Sequence, residues 1–178
     1  MKILSHRGYW KKEDEKNTLE AIKKSLAEGF GFETDVRDCI GKMVISHNPA
    51  EENSPEAELV FKELNRYRAV GTARALVVAA AGSGKTYLAA FDALNFSPKH
   101  LLYIVHEGSI LKKALETFQD VFGSAVSYGI FSGESKDMYE DFVFATNVTM
   151  AKSLDLYPKD YFDYIIVDEC HHATAETY

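Results

Sequence analysis

Short apolar runs alternate with amphipathic segments over most of the chain. The apolar runs are rich in β-branched and aromatic residues and predict strands at 74–80, 101–106, 126–131, 141–146 and 164–167. Amphipathic segments that begin at Lys85 and at Ile110 predict helices between these strands. Because strands and helices alternate, the pattern predicts an α/β fold, a mostly parallel sheet with helices on both faces.

The first 50 residues show a different order of elements. Asn17 is a favourable N-cap, Glu20 follows it as in a capping box, and Gly29 ends the predicted helix. The predicted elements are strand 3–8, helix 17–29, strand 32–37, a turn at 38–41 and strand 42–47. The pattern of this segment is therefore βαββ.

A polar segment with two prolines separates this piece from the alternating part and predicts a linker at 49–55. The linker ends in Ser-Pro, which predicts the start of a further helix. The predicted organisation is residues 1–48, the linker, and residues 56–178. We expect the two parts to stay separate, which leaves exposed the apolar face of the first helix, formed by Leu19, Ile22 and Leu26.

Composition narrows the class of protein. The 178 residues are 46% hydrophobic and 26% charged, as in ordinary globular proteins. No apolar run approaches the ~20 residues of a membrane span. Cys39 and Cys170 lack the spacing of a metal site, and free thiols are typical of a reducing cytoplasm, which is the location we expect.

Charge is distributed unevenly along the chain. Residues 1–50 contain 9 Lys and Arg against 8 Asp and Glu, whereas the remaining residues contain 11 against 19. A nucleic-acid-binding domain usually has a basic face. Here only a local patch is available, with Lys112 and Lys113 as candidates, and a solvated helix face explains these two lysines equally well.

The turn between the strand at 74–80 and the next helix has the composition of a phosphate-binding loop. Its glycines free the backbone so that successive N–H groups converge on one point, and the following helix directs its N-terminus at the same point. Lys85 would reach the β- and γ-phosphates of a nucleotide, and the Thr86 hydroxyl would bind Mg²⁺. The residues assigned to nucleotide binding are Gly82, Ser83, Gly84, Lys85 and Thr86. The alternative is a plain Gly/Ser turn.

A second motif follows the last apolar strand, where the chain reads Val-Asp-Glu-Cys-His. Asp168 is placed to hold Mg²⁺, and Glu169 is placed to polarise an attacking water. Together with the phosphate loop, this motif predicts a site for ATP and Mg²⁺ in which Glu169 and Lys85 are the catalytic residues.

These two motifs resemble those of superfamily 2 helicases, because the loop opens with Ala79 and the second motif is Asp-Glu-Cys-His. Residues 101–118 and 144–150 are similar to the family's motifs Ia and Ib, which touch nucleic acid. The resemblance implies a P-loop NTPase of the RecA-like kind that binds DNA or RNA. It departs from the family at Glu107, where relatives carry a basic residue, and in lacking an adenine-reading Gln upstream of the loop. We expect the second lobe and its arginine finger to be missing, and therefore little turnover by the chain alone.

The first 50 residues carry a second set of polar positions at predicted strand ends. Two histidines and two same-side carboxylates suit a divalent metal flanked by an acid/base pair. The arrangement resembles glycerophosphodiester phosphodiesterases, which are (β/α)₈ barrels. The resemblance implies catalytic His6 and His47, phosphate-binding Arg7, and a Ca²⁺ or Mg²⁺ ion on Glu33 and Asp35.

About a fifth of such a barrel is present, and Lys16 and Asn48 replace the usual Glu and Asp. A chain that joins two partial families is expected to be a chimera or a truncated fragment. Three functions stay open: an ATP-binding helicase lobe, a metal-dependent glycerophosphodiester phosphodiesterase, and a non-catalytic binding or assembly fragment.

Overall fold

The structure is a computed structural model that describes residues 4–34, 36–40, 42–46, 49–51, 54–71, 77–78 and 84–168. The strands are β1 Leu4–His6, β2 Gly31–Glu33, β3 Val36–Cys39, β4 Lys42–Ile45, β5 Val77–Val78, β6 Leu101–Val105, β7 Tyr128–Phe131, β8 Phe142–Thr146 and β9 Tyr164–Val167. The helices are α1 Leu19–Ala27, α2 Ala57–Ala69, α3 Lys85–Phe96, α4 Gly108–Phe122 and α5 Asn147–Ala151. The chain divides into two compact units, Met1–Asn95 and Phe96–Tyr178.

In the first unit, a parallel sheet joins the N-terminal strands to the strand that precedes the phosphate loop. Its order is β1-β2-β5, and Phe32 pairs with Val77 while Glu33 pairs with Val78. The expectation that the N-terminal piece stays separate is therefore wrong. The pairing gives hydrogen-bond partners to backbone N–H and C=O groups of β2 and β5, which would lie unpaired at a sheet edge if the two parts were separate.

The apolar face of α1 is buried as well. Ile22 is 0% exposed, and Leu19 and Leu26 pack against the cluster to which it belongs. That cluster draws on α1, α2, α3 and the β3–β4 hairpin, and its buried members are Ile22, Val36, Ile45, Ala57, Val60, Phe61, Leu64 and Leu88. The predicted linker lies inside this unit. The assignment of residues 1–48 to a phosphodiesterase-like barrel fragment and of residues 56–178 to a helicase lobe stays a prediction.

Two helices start later than their sequence signals predict. The N-cap of α1 is Thr18, whose hydroxyl oxygen accepts a hydrogen bond from the backbone N–H of Ala21. Asn17 instead takes a left-handed conformation with φ 57°. Helix α2 begins only at Ala57, because the segment before it pairs with β4, where the Pro55 carbonyl accepts a hydrogen bond from the Ile45 N–H.

The predicted strand 32–37 is in fact two strands in different sheets. β2 ends at Glu33 in the parallel sheet, and β3 begins at Val36 and pairs antiparallel with β4. Thr34 lies at the break, is buried, and donates a hydrogen bond to Asn17 Oδ1 at 3.2 Å. The chain thus changes sheets between Glu33 and Val36, and Asp35 lies outside the described residues.

The second unit is a parallel sheet of order β7-β8-β6-β9, which confirms the α/β class that the alternating pattern predicted. One face carries Leu102 and Ile104 against Met150 of α5. The other face carries Tyr103 and Phe144 against Phe118 of α4. Because α4 and α5 cover opposite faces, the two central strands β6 and β8 are buried on both sides, as continuous apolar runs require, whereas Ile165 of the edge strand β9 is 57% exposed. None of the described helices is long and apolar enough to cross a membrane.

Candidate nucleotide-binding site

Strand β5, the phosphate loop and α3 follow one another in the first unit. The loop residues 79–83, which include Gly82 and Ser83, lie outside the described part of the chain. Gly84 is the last loop residue and has φ +78°, a left-handed conformation that favours glycine. Its carbonyl accepts a hydrogen bond from the Leu88 N–H at 3.0 Å, so α3 begins directly after it.

Lys85 and Thr86 form the first turn of α3, and both are half-buried. The backbone N–H groups in the first turn of a helix have no partners within the helix, and the helix dipole adds partial positive charge there. Lys85 contributes a full positive charge to the same place. This end of α3 can therefore hold an anion such as a phosphate group, and the Thr86 hydroxyl is a hard oxygen ligand of the kind that Mg²⁺ prefers.

Asp168 follows β9 in the second unit and is held by two hydrogen bonds to β6. Its backbone N–H donates to the Ile104 carbonyl at 2.9 Å, which continues the pairing of β9 with β6. The Tyr103 hydroxyl donates to Asp168 Oδ2 at 2.9 Å. A carboxylate with a fixed orientation at a strand end suits Mg²⁺. Glu169 lies outside the described residues, as do Cys170 and the histidine after it.

Each half of the predicted ATP site is thus placed within its own unit. Lys85 and Thr86 belong to the first unit, and Asp168 belongs to the second. A hydroxyl and a carboxylate are each an oxygen ligand of the chemical type that Mg²⁺ prefers.

Three strands of the second unit end side by side in polar residues. β6 is followed by His106, β8 by Asn147 and β9 by Asp168. Asn147 is 6% exposed, and its side-chain amide lies 3.4 Å from Nδ1 of His106. Ligands of open parallel sheets bind at this carboxyl edge. The strands predicted to carry motifs Ia, Ib and the Asp-Glu-Cys-His sequence are parallel neighbours, so all three end at this same edge.

The charge next to this edge is mixed. Glu107 is exposed, directly precedes α4, and accepts a hydrogen bond from the Ser109 hydroxyl at 3.2 Å. Lys112 and Lys113 are exposed on α4. A negative charge at Glu107 repels a phosphate backbone, whereas the two lysines attract it.

The phosphodiesterase-like residues are described only in part. The backbones of His6 and Glu33 are paired across β1 and β2. Their side chains, and Asp35 and His47 altogether, lie outside the described part of the structure. Arg7 has φ 60°, and its Nε is buried with no hydrogen-bond partner among the described residues. No cluster of three or more potential metal ligands occurs within the described residues, so the barrel-type metal site stays a prediction.

Sequence reasoning missed Tyr103. It stands in the middle of the run Leu-Leu-Tyr-Ile-Val, where an aromatic residue suits a buried strand. Its hydroxyl nevertheless reaches Asp168, 65 residues further along the chain. A tyrosine within an otherwise aliphatic strand is a weak signal that a polar partner lies nearby, since buried Tyr hydroxyls usually find one.

Comparison with known families places these features in context. The family model described as Type III restriction enzyme, res subunit, matches residues 14–178, which is most of the chain and includes both nucleotide motifs. A search of curated proteins found no significant match. The family match is consistent with the parallel sheet and with the loop-to-helix turn at Gly84. The chain therefore belongs to the family of Type III restriction enzyme res subunits, whose domain is the RecA-like N-terminal lobe of superfamily 2 helicases.

Proposed function

We propose that this domain binds ATP with Mg²⁺ and hydrolyses it slowly by itself, as the ATP-binding lobe of a nucleic-acid-dependent ATPase. Family membership supports the coarser statement that it is a helicase-superfamily ATP-binding domain. The observation that carries the finer proposal is the turn at Gly84, which brings Lys85 and Thr86 into the first turn of α3.

In this proposal the backbone of Gly82, Ser83 and Gly84 surrounds the phosphates, and Lys85 neutralises their charge. The Thr86 hydroxyl and the Asp168 carboxylate hold Mg²⁺, which when bound offsets the charge that develops during phosphoryl transfer. Glu169 orients the attacking water.

Nucleotide binding is tested by isothermal titration of ATP with Mg²⁺ into the full chain. Lys85→Ala is expected to weaken binding about 10- to 100-fold, because a charge-assisted hydrogen bond contributes about 1.5–3 kcal/mol. Lys62→Ala is the matched control, since Lys62 is an exposed lysine that pairs with Glu58 on α2. Equal affinities for the wild type and Lys85→Ala would refute the proposal.

Turnover is tested by phosphate release with and without DNA or RNA. An arginine finger contributes roughly 10³–10⁵ in rate and usually comes from a second lobe or a partner. We therefore expect very slow release by this chain. Rapid release that disappears in Glu169→Gln would refute the expectation of slow turnover.

Nucleic-acid contact is proposed at the carboxyl edge of the second unit, next to His106 and Asn147. Glu107→Lys is expected to strengthen binding of single-stranded DNA or RNA and to steepen its salt dependence, because it replaces a repulsive charge with an attractive one. Fluorescence anisotropy over a range of salt concentrations measures both effects. An unchanged affinity would place the nucleic acid elsewhere.

A second candidate function is metal-dependent phosphodiester hydrolysis by the N-terminal strands. One observation favours it, namely that the parallel pairing of β1 and β2 sets His6 opposite Glu33 at the end of both strands. Incubation with glycerophosphocholine and Ca²⁺ or Mg²⁺ tests this function. Hydrolysis that is lost in His6→Ala would support it, and no hydrolysis with either metal would reject it.

A further inference from the structure

Tyr103 combines a deeply buried ring with a polar contact at the candidate nucleotide site. The residue is 1% exposed. Its ring lies 5.5 Å from the rings of both Phe118 and Phe144, centroid to centroid. Its hydroxyl extends beyond these apolar neighbours and donates to Asp168 Oδ2 at 2.9 Å.

Strand register explains why these two residues meet. Tyr103 of β6 pairs with Ile166 of β9, and Asp168 comes two residues after Ile166. Residues two apart in an extended chain lie on the same side of the sheet, so Asp168 falls on the side of Tyr103. The Asp168 N–H is fixed at the same time by the Ile104 carbonyl at 2.9 Å. Asp168 is thus attached to β6 through both its backbone and its side chain.

We propose that Tyr103 is a positioning residue that orients the Asp168 carboxylate for Mg²⁺, an inference that rests on the proposed role of Asp168 in ATP binding. A hydroxyl that donates a hydrogen bond to one carboxylate oxygen restricts rotation of that carboxylate. Partners of this kind, hydrogen-bonded to a ligand rather than to the metal, typically change metal affinity 10–100-fold when they are removed. The rigid aromatic packing of Tyr103 makes it a fixed donor.

The test compares ATP binding in Mg²⁺ with ATP binding in EDTA, both measured by titration calorimetry on the full chain. Tyr103→Phe keeps the ring and removes only the hydroxyl. It is expected to reduce the strengthening of ATP binding by Mg²⁺ about 10-fold and to leave the affinity in EDTA unchanged. The matched control is Tyr128→Phe, which removes a hydroxyl that donates to the Gly123 carbonyl at 2.8 Å in the same unit. This control is expected to behave as the wild type.

A second variant checks that Tyr103 acts through Asp168. Asp168→Asn is expected to lose most of the Mg²⁺ effect, and adding Tyr103→Phe to it is expected to cause no further change. A further loss of the Mg²⁺ effect in the double variant would overturn the proposal. Tyr103→Phe would also overturn it if ATP affinity fell equally with and without Mg²⁺, or if this variant no longer folded. Wild type that binds no ATP at all would instead refute the proposed function, and the inference with it.

Discussion

Breaking the ion pair between α2 and α3 is expected to destabilise the first unit strongly. Arg68 Nη1 lies 2.9 Å from Asp92 Oδ1, and Nη2 lies 2.6 Å from Oδ2, so the contact is bidentate. The two side chains are 19% and 11% exposed. Because α3 begins at Lys85, this pair also fixes the helix that follows the phosphate loop.

The size of the effect follows from burial. Removing one partner of a buried ion pair costs about 3–5 kcal/mol, because the other charge is left without compensation. Both side chains here keep some contact with solvent, so we expect the lower end, about 3 kcal/mol. For a unit of this size each kcal/mol lowers Tm by about 4–8 °C. Replacing both partners with apolar residues is expected to be nearly neutral, since no charge is then left buried.

Urea unfolding followed by circular dichroism measures these free energies for Arg68→Met, Asp92→Leu and the double variant. Lys62→Met is the control, because Lys62 forms an ion pair with Glu58 in which the side chains are 58% and 55% exposed. That exposed pair is expected to contribute less than about 0.5 kcal/mol. Single variants of Arg68 and Asp92 that match the control would refute the reasoning, as would a double variant that loses the sum of both single effects.

Three further outcomes follow from the structure. Burial, and then the neighbouring tyrosines, raise the pKa of Tyr157 from 10.0 to about 12. The contribution of neutral Tyr157 to stability is therefore present below pH 10 and is lost as pH rises toward 12. Tyrosinate absorbance during alkaline unfolding checks this expectation. Hydrogen bonds from the Ser127 backbone and hydroxyl lower the pKa of Asp141, so its contribution is present above the ordinary value of 3.8 and is lost as pH falls below it. Ser127→Ala should therefore move acid unfolding to higher pH, as circular dichroism would show. Gly8→Ala should destabilise the fold by about 1–3 kcal/mol in urea, because Gly8 has φ +88° and a Cβ there would lie 2.8 Å from Ala21.

Local pattern was enough to predict most of the second unit. The sequence runs at β6, β8 and β9 are continuously apolar, and amphipathic segments lie between strands along the chain. This alternation predicts parallel strands joined by helices. The phosphate-loop residues were also visible in the sequence, since the turn after β5 needs glycine at Gly84 and the next residues carry the charge and the hydroxyl. Helix starts were less accurate, because Asn17 and Thr18 are both good caps and local sequence does not decide between them.

The sequence by itself determined the alternating α/β pattern of this protein, and it predicted the chemistry of a phosphate loop and an acidic strand end. Only the tertiary structure decided which strands pair and which side chains meet. The pairing of β2 with β5 joins segments more than 40 residues apart, and the contact of Tyr103 with Asp168 spans 65 residues. Both depend on the partners available across the sheet, and hydrophobic periodicity within one segment contains no information about those partners.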